Sequence, residues 1–141
     1  MKRCFIFIFV PQSGTRYMKQ ILLIEDDPFL LDIYSTKLTE AGFSVETATN
    51  GEEALIKAKE NLPRLIILDI VLPQIDGWEI LKRIKSENNL RQIPVVILSN
   101  LGQKSEVEKG LKMGAAKYLI KAHYTPSQVV KEIKETLNLK P

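Results

Sequence analysis

Short runs of Ile, Leu and Val alternate along this chain with longer segments in which apolar residues recur every three or four positions. The short runs predict strands of a parallel sheet that is buried on both faces, and the longer segments predict amphipathic helices. Five such pairs follow one another, so the pattern predicts a single α/β domain of (βα)₅ type. The strand candidates are Ile21–Ile24, Leu65–Leu68, Val95–Leu98 and Tyr118–Ile120, with a more exposed strand containing Phe43, Val45 and Thr47.

Proline, glycine and short polar residues predict where the helices begin and end. Pro28 suits the first turn of the first helix, and Gly42 suits the position just past its end. Asp76 is a candidate cap for the third helix, and Thr125, which precedes a proline, is a candidate cap for the last. The fourth helix is predicted over residues Gly102–Met113.

Polar side chains follow four of the five predicted strands. Glu25 and Asp26 follow the first strand, and Asp69 follows the third. Ser99 and Lys121 stand at the ends of the fourth and fifth strands. Sites in open parallel sheets form outside the carboxyl ends of the strands. We therefore expect these five side chains to meet at one edge of the sheet, although they are scattered along the sequence.

These residue types match the requirements of phosphoryl transfer. The carboxylate of Asp69 can act as a nucleophile towards phosphorus and form an acyl phosphate. Crowded carboxylates repel one another unless a cation lies between them, and oxygen-only ligands favour Mg²⁺. Lys121 would bring a positive charge to a phosphoryl oxygen, and Ser99 would bring a hydrogen bond. In the alternative interpretation, Glu25 and Asp26 only cap the helix that begins near Pro28.

The charge distribution argues against nucleic-acid binding. The net charge is +3, but three of the 20 basic residues lie in the first seventeen positions, where there is no acidic residue. From Met18 onward the basic and acidic side chains balance, without the clustered basic face that such binding requires.

One cysteine and one histidine exclude an internal disulfide and any multi-cysteine or multi-histidine metal site. The single cysteine fits a reducing compartment, and we predict a cytoplasmic protein.

The first seventeen residues differ from the rest of the chain. A basic start is followed by the apolar run Cys4–Val10, which ends at Pro11. This run is short for a signal peptide, lacks a cleavage motif after it, and is far below the roughly 20 residues that span a bilayer. We predict that residues 1–17 are a dispensable or misassigned extension and that residues 18–141 form the single domain.

From Met18 to Asn138 the chain resembles the receiver domain of two-component response regulators. That resemblance implies a flavodoxin-like strand order of 2-1-3-4-5. No single motif is specific, but their order and spacing together are. The matching residues are Glu25-Asp26 after the first strand, Asp69-Ile70-x-Leu72-Pro73-x-x-Asp76-Gly77 after the third, Ser99 after the fourth, and Tyr118 three residues before Lys121.

The resemblance implies a role for each of these residues. Asp69 would be the phosphoacceptor, receiving a phosphoryl group from a sensor histidine kinase or a histidine phosphotransfer protein. Asp26 and Asp69 would ligate Mg²⁺ directly, with the Val71 backbone carbonyl as a further ligand and Glu25 acting through water. Lys121 would contact the phosphoryl group.

The resemblance also implies a switch and an output surface. The Ser99 hydroxyl would move towards the phosphoryl group and Tyr118 would turn inward behind it, as a two-state element biased by a local charge change. The signal would pass to a protein target through the fourth helix, fifth strand and fifth helix, at about residues 102–137. We expect no direct contact with nucleic acid or membrane, and signalling through protein contacts because no output domain follows Pro141.

Three other functions would require residues different from those of a receiver domain, or none of its phosphorylation chemistry. A phosphohydrolase of the haloacid dehalogenase type carries a second Asp two residues after its nucleophile, where Val71 stands here, so we do not expect an enzyme. A nucleotide or flavin binder would need a phosphate loop after the first strand, where this chain has acids.

A phosphorylation-independent interaction module on the same fold stays open. Its support comes from two departures from the family pattern. Asn100 stands where the family usually has a very small residue. Ala122 stands where the family typically has a proline, often preceded by a cis peptide bond, so the peptide bond here is either trans or strained.

Overall fold

A computed structural model describes residues 20–139, and the predicted extension over residues 1–17 lies outside them. Strands and helices alternate throughout, as the hydrophobic pattern predicts. None of the helices in this part of the chain is both long and apolar enough to cross a membrane. The elements are β1 (Gln20–Ile24), α1 (Pro28–Glu40), β2 (Ser44–Ala48), α2 (Gly51–Asn61), β3 (Leu65–Leu68), α3 (Gly77–Ser86), β4 (Val95–Ser99), α4 (Lys104–Lys112), β5 (Lys117–Ile120), a short 3₁₀ turn (Lys121–His123) and α5 (Pro126–Thr136).

The five strands form one parallel sheet in the order β2-β1-β3-β4-β5, which confirms the predicted strand order 2-1-3-4-5. The register aligns the carboxyl ends of the strands. Ile24 pairs with both Ala48 and Leu68, and Ser99 pairs with Ile120. The residues that follow these strands therefore meet at one edge. From β1 the chain first adds β2 on one side and then β3 on the other, so the topological switch point of the sheet lies beside β1.

Alternate residues of each strand point to opposite faces and enter two separate cores. We call them the α1/α5 face and the α2/α3/α4 face, after the helices that cover them. The α1/α5 face contains Ile21, Leu23, Leu65, Ile67, Val96, Leu98 and Leu119 from the sheet, with Tyr34, Leu38, Val129 and Ile133 from the helices. The α2/α3/α4 face contains Leu22, Ile24, Ile66, Leu68, Val95 and Ile97, with Ala54, Leu55, Ala58, Ile80, Leu81 and Ile84.

The predicted helix boundaries hold for α1, α3 and α5. Asp27 caps α1, since its side chain accepts hydrogen bonds from the backbone N–H groups of the second and third following residues. Gly42 follows α1 with φ of +98°, a conformation that favours glycine. Asp76 caps α3, and Thr125 caps α5 through a capping box.

Helix α4 is shorter than predicted. It spans Lys104–Lys112 rather than Gly102–Met113. Gln103, with extended backbone angles (φ −70°, ψ 148°), is its N-cap, so the helix cannot begin at Gly102. The start of the helix is fixed by Gln103 and Glu106: the Gln103 backbone N–H donates to Glu106 Oε1, and the Glu106 N–H donates to the Gln103 carbonyl.

Candidate functional site

A cleft opens at the carboxyl edge of the sheet, where the loops after β1, β3, β4 and β5 meet. It brings together acids, an amide and a lysine from four separate parts of the sequence. Its lining residues are Glu25, Asp26, Asp27, Leu30, Asp69, Val71, Asn100 and Lys121. The convergence predicted from the strand ends is therefore found for the acids and the lysine.

Lys121 joins the ends of β1 and β3 at the floor of this cleft. Its Nζ lies 2.6 Å from Glu25 Oε1 and 2.8 Å from Asp69 Oδ2. The three side chains are 9%, 3% and 7% exposed, so the two ion pairs are shielded from solvent. Removing one partner of a buried pair leaves an uncompensated charge, which is strongly destabilising. Lys121 therefore holds two carboxylates in place as well as neutralising part of their charge.

The pKa values of this group reflect burial opposed by pairing. Burial raises the pKa of Glu25, and the hydrogen bonds from Lys121 and from the Asp27 backbone N–H oppose that rise only in part. Burial alone would lower the pKa of Lys121, but its hydrogen bonds to Asp69 and Glu25 outweigh burial and raise it. The lysine therefore stays protonated beside the carboxylates.

The carboxylates fit a hard divalent cation. One oxygen atom from each of Glu25, Asp26 and Asp69 lies within 4.8 Å of the others, and Asp26 is exposed to the cleft. One lysine against three carboxylates leaves an excess of negative charge, and all the offered ligand atoms are oxygens, as Mg²⁺ prefers. The Val71 backbone N–H donates to Asp69 Oδ1 at 3.3 Å, which places Val71 beside the same carboxylate. Ligation by the Val71 carbonyl stays a prediction.

The alternation of the strands explains which acids are buried. Glu25, Asp69 and Lys121 stand two positions after Leu23, Ile67 and Leu119, which all belong to the α1/α5 face. Asp26 stands two positions after Ile24, on the α2/α3/α4 face. The capping interpretation of Glu25 and Asp26 is wrong, because Asp27 makes the cap hydrogen bonds of α1.

Backbone contacts fix the segment that carries Asp69. The Asp69 N–H donates to the Ile24 carbonyl at 3.1 Å, and the Gly77 N–H donates to the Ile70 carbonyl at 2.8 Å. A Cβ at Gly77 would lie 2.5 Å from the Asp69 carbonyl oxygen and 2.5 Å from Ile70 Cα. Only glycine therefore allows α3 to begin this close to the strand end.

Ser99 and Tyr118 meet at the backbone of Leu101 rather than at the carboxylates. Ser99 is fully buried, and its Oγ accepts a hydrogen bond from the Leu101 N–H at 3.3 Å. The Tyr118 hydroxyl donates to the Leu101 carbonyl at 2.6 Å. The Tyr118 ring packs against Gly110 of α4, where a Cβ would lie 2.8 Å from ring atom Cδ2. Both residues thus hold the loop that leads into α4.

Sequence reasoning missed two features of the site. Leu101 links Ser99 to Tyr118 through backbone atoms, for which a sequence carries no signal. Tyr34 lies in the core of the α1/α5 face, where its helical spacing predicts ordinary packing. The one signal was its hydroxyl, a polar group at a core position. The Lys121–Ala122 peptide is trans, as are all peptide bonds in the described part of the chain.

Comparison with known proteins gives one consistent family. The model of the response regulator receiver domain matches residues 21–134. The probable transcriptional regulator ycf27 of Porphyra purpurea is 33% identical over 119 residues, which are 84% of this chain and 47% of that protein. This chain therefore spans about half the length of that relative.

Solved structures match over nearly their whole length. A putative response regulator from Chloroflexus aurantiacus has a TM-score of 0.79 at 32% identity, and the match covers 85% of this chain and 98% of that one. The Vibrio cholerae chemotaxis protein CheY4 has a TM-score of 0.79 at 28% identity, over 84% of this chain and 98% of that one.

Proposed function

We propose, since this chain belongs to the response regulator receiver domain family of two-component systems, that Asp69 accepts a phosphoryl group from a histidine kinase or a histidine phosphotransfer protein. A carboxylate oxygen of Asp69 forms the bond to phosphorus as the bond between phosphorus and the donor imidazole breaks. The observation that carries this proposal is the buried contact of Asp69 with Lys121, with Asp26 and Glu25 beside it.

The neighbouring residues supply positioning and charge. Lys121 Nζ, 2.8 Å from Asp69 Oδ2, is placed to meet an oxygen of the incoming phosphoryl group. Asp26, Asp69 and the Val71 carbonyl would hold Mg²⁺, with Glu25 acting through water. When bound, the ion would offset the charge of the phosphoryl oxygens. The chemistry of the carboxylate cluster supports this assignment, since every ligand it offers is an oxygen.

Ser99 and Tyr118 are the proposed switch. The Ser99 hydroxyl accepts from Leu101 N–H and the Tyr118 hydroxyl donates to Leu101 C=O, so movement of either side chain changes the loop before α4. That loop leads to the face formed by α4, β5 and α5, at residues 102–137. We propose that this face contacts a downstream protein and that the signal passes through protein contacts.

The phosphohydrolase alternative lacks the group that it needs. Val71 is 58% exposed beside Asp69 in the cleft and carries no acid to protonate a leaving group. The interaction-module alternative does not require phosphorylation, so the same experiment distinguishes it from our proposal.

The test is incubation of the full chain with Mg²⁺ and a small phosphoryl donor, and separately with a phosphorylated histidine kinase, followed by intact mass measurement. Wild type should gain the mass of one phosphoryl group, and Asp69→Ala should gain none. Asp76→Asn is the matched control, because it changes an exposed acid of the same loop and asparagine caps helices as well as aspartate does. Labelling of Asp69→Ala, or no labelling of wild type by either donor, would overturn the proposal.

A further inference from the structure

Tyr34 is a buried residue whose hydroxyl group has no hydrogen-bond partner among residues 20–139. It lies on α1, is 5% exposed and packs within the α1/α5 face. Buried polar groups are nearly always paired, and an unpaired one calls for an explanation. A phenylalanine would fill the same space without any unpaired oxygen. The hydroxyl therefore points to a partner that packing alone does not provide.

Lys121 presents the complementary group. An ammonium has three N–H donors. Two of them are used by Glu25 Oε1 and Asp69 Oδ2, the only acceptors of Lys121 Nζ within the described residues. The side chain is 9% exposed, so the third donor has little access to bulk water. An unused donor and an unused acceptor thus lie buried in the same region of the molecule.

The alternation of the strands places both groups on the same side of the sheet. Lys121 stands two positions after Leu119, which belongs to the α1/α5 face together with Tyr34. Glu25 and Asp69 continue that face from β1 and β3. Burial raises the pKa of Tyr34, and the charges of Lys121, Glu25 and Asp69 act on it as well, so the hydroxyl lies within electrostatic range of all three.

We propose that the Lys121 ammonium donates its third hydrogen bond to one buried water, which in turn donates to the Tyr34 hydroxyl, and that Tyr34 is thereby a positioning residue for Lys121. A water that pairs otherwise unsatisfied buried groups is a regular part of protein interiors. Asp69, Glu25 and the water held by Tyr34 then contact Nζ on three sides. Because Tyr34 is neutral, it can keep Lys121 in place when the charge at Asp69 changes. The role in phosphoryl transfer rests on the proposed function, but the contact itself does not.

The contact can be tested without phosphorylation. In NMR spectra of the ¹⁵N-labelled full chain, the Lys121 ammonium signal is identified by its loss in Lys121→Met. We expect its protons to exchange slowly with water in wild type and several-fold faster in Tyr34→Phe. Tyr124→Phe is the matched control, because Tyr124 also packs against the α1/α5 face but its hydroxyl is not required here. Equal exchange in wild type and Tyr34→Phe would overturn the proposal, whatever the outcome of the labelling experiment at Asp69.

A double-mutant cycle tests the consequence for the site. Tyr34→Phe should slow the labelling of Asp69 several-fold when Lys121 is present and should have no further effect in Lys121→Met. A loss from packing would instead persist in the absence of the lysine. If Tyr34→Phe slows labelling equally in both backgrounds, Tyr34 does not act through Lys121 and the positioning role is wrong.

Discussion

Gly77 determines how closely α3 approaches the segment that carries Asp69. Its backbone angles are ordinary, so the requirement for glycine is one of space. A Cβ would overlap the Asp69 carbonyl oxygen and Ile70 Cα, which are backbone atoms and cannot turn away. We expect Gly77→Ala to lower the free energy of unfolding by about 1–3 kcal/mol, as overpacking does, and to slow labelling of Asp69. Urea denaturation and intact mass measurement check the two effects.

Gly102→Ala is the control for this prediction. The three atoms nearest to a Cβ at Gly102 all belong to the side chain of Ile120, the closest at 3.2 Å, and a side chain can adjust. This variant should lose less stability than Gly77→Ala and should be labelled at the wild-type rate. Equal losses in the two variants would contradict the argument from backbone contact.

Single residues also mark the limit of prediction from sequence. The positions of Glu25, Asp69 and Lys121 at strand ends were sufficient to predict that they meet, because parallel strands end at a common edge. Whether they touch depends on which of the two faces of the sheet each side chain lies on, and that follows only from the register of the whole sheet. The unpaired hydroxyl of Tyr34 could not be predicted, since it concerns atoms that come together only in the folded core.

At the scale of elements, α4 differs most from its prediction because its core contact is small. Gly110 is its one buried residue, so the hydrophobic pattern that fixes the other helices is weak here. Capping by Gln103 decides where the helix begins. Lys109 Nζ lies 4.3 Å from the centroid of the Trp78 ring on α3, a cation–π contact that helps to hold α4 against the molecule.

Lys117 connects β5 to α5 and gives that pair of elements a pH dependence. Its Nζ lies 2.7 Å from Glu132 Oε1 and 3.3 Å from Glu135 Oε1. Burial alone would lower the pKa of Lys117, but the hydrogen bonds to both glutamates outweigh burial and raise it. A raised folded pKa means that the stabilisation is complete below the unfolded value, about 10.4, and is lost as pH rises through the folded value.

We therefore expect Lys117→Met to lower the free energy of unfolding by up to about 1 kcal/mol at pH 8, the range of partly exposed pairs. The difference from wild type should shrink as pH rises above about 10.4. Urea denaturation at a series of pH values measures it. Lys112→Met is the control, because Lys112 is exposed and has no ion pair within the described residues. A difference that stays constant to high pH would show that Lys117 acts by packing alone.

At the scale of the whole molecule, the fold gathers excess negative charge at one edge of the sheet. The cluster of Glu25, Asp26, Asp69 and Lys121, which follow β1, β3 and β5, carries two excess negative charges, with Glu25 and Asp69 buried. Asp69 and Lys121 are 52 residues apart in the sequence and both are distant from Glu25 and Asp26, so unfolding disperses the cluster. A cation that binds the gathered carboxylates therefore binds the folded state in preference to the unfolded one, and it must stabilise the fold as a whole.

Mg²⁺ should accordingly raise the free energy of unfolding of wild type, by about 2.7 kcal/mol at one hundred times its dissociation constant. Chelation with EDTA should reverse the rise. Thermal or urea unfolding measures it, with sodium chloride at matched ionic strength to separate binding from screening. Asp26→Asn should lose most of the rise, because Asp26 is the exposed member of the cluster and its loss leaves the Lys121 pairs intact. If Asp26→Asn gains as much stability from Mg²⁺ as wild type does, the stabilisation does not come from Mg²⁺ bound at this carboxylate cluster, and the prediction is wrong.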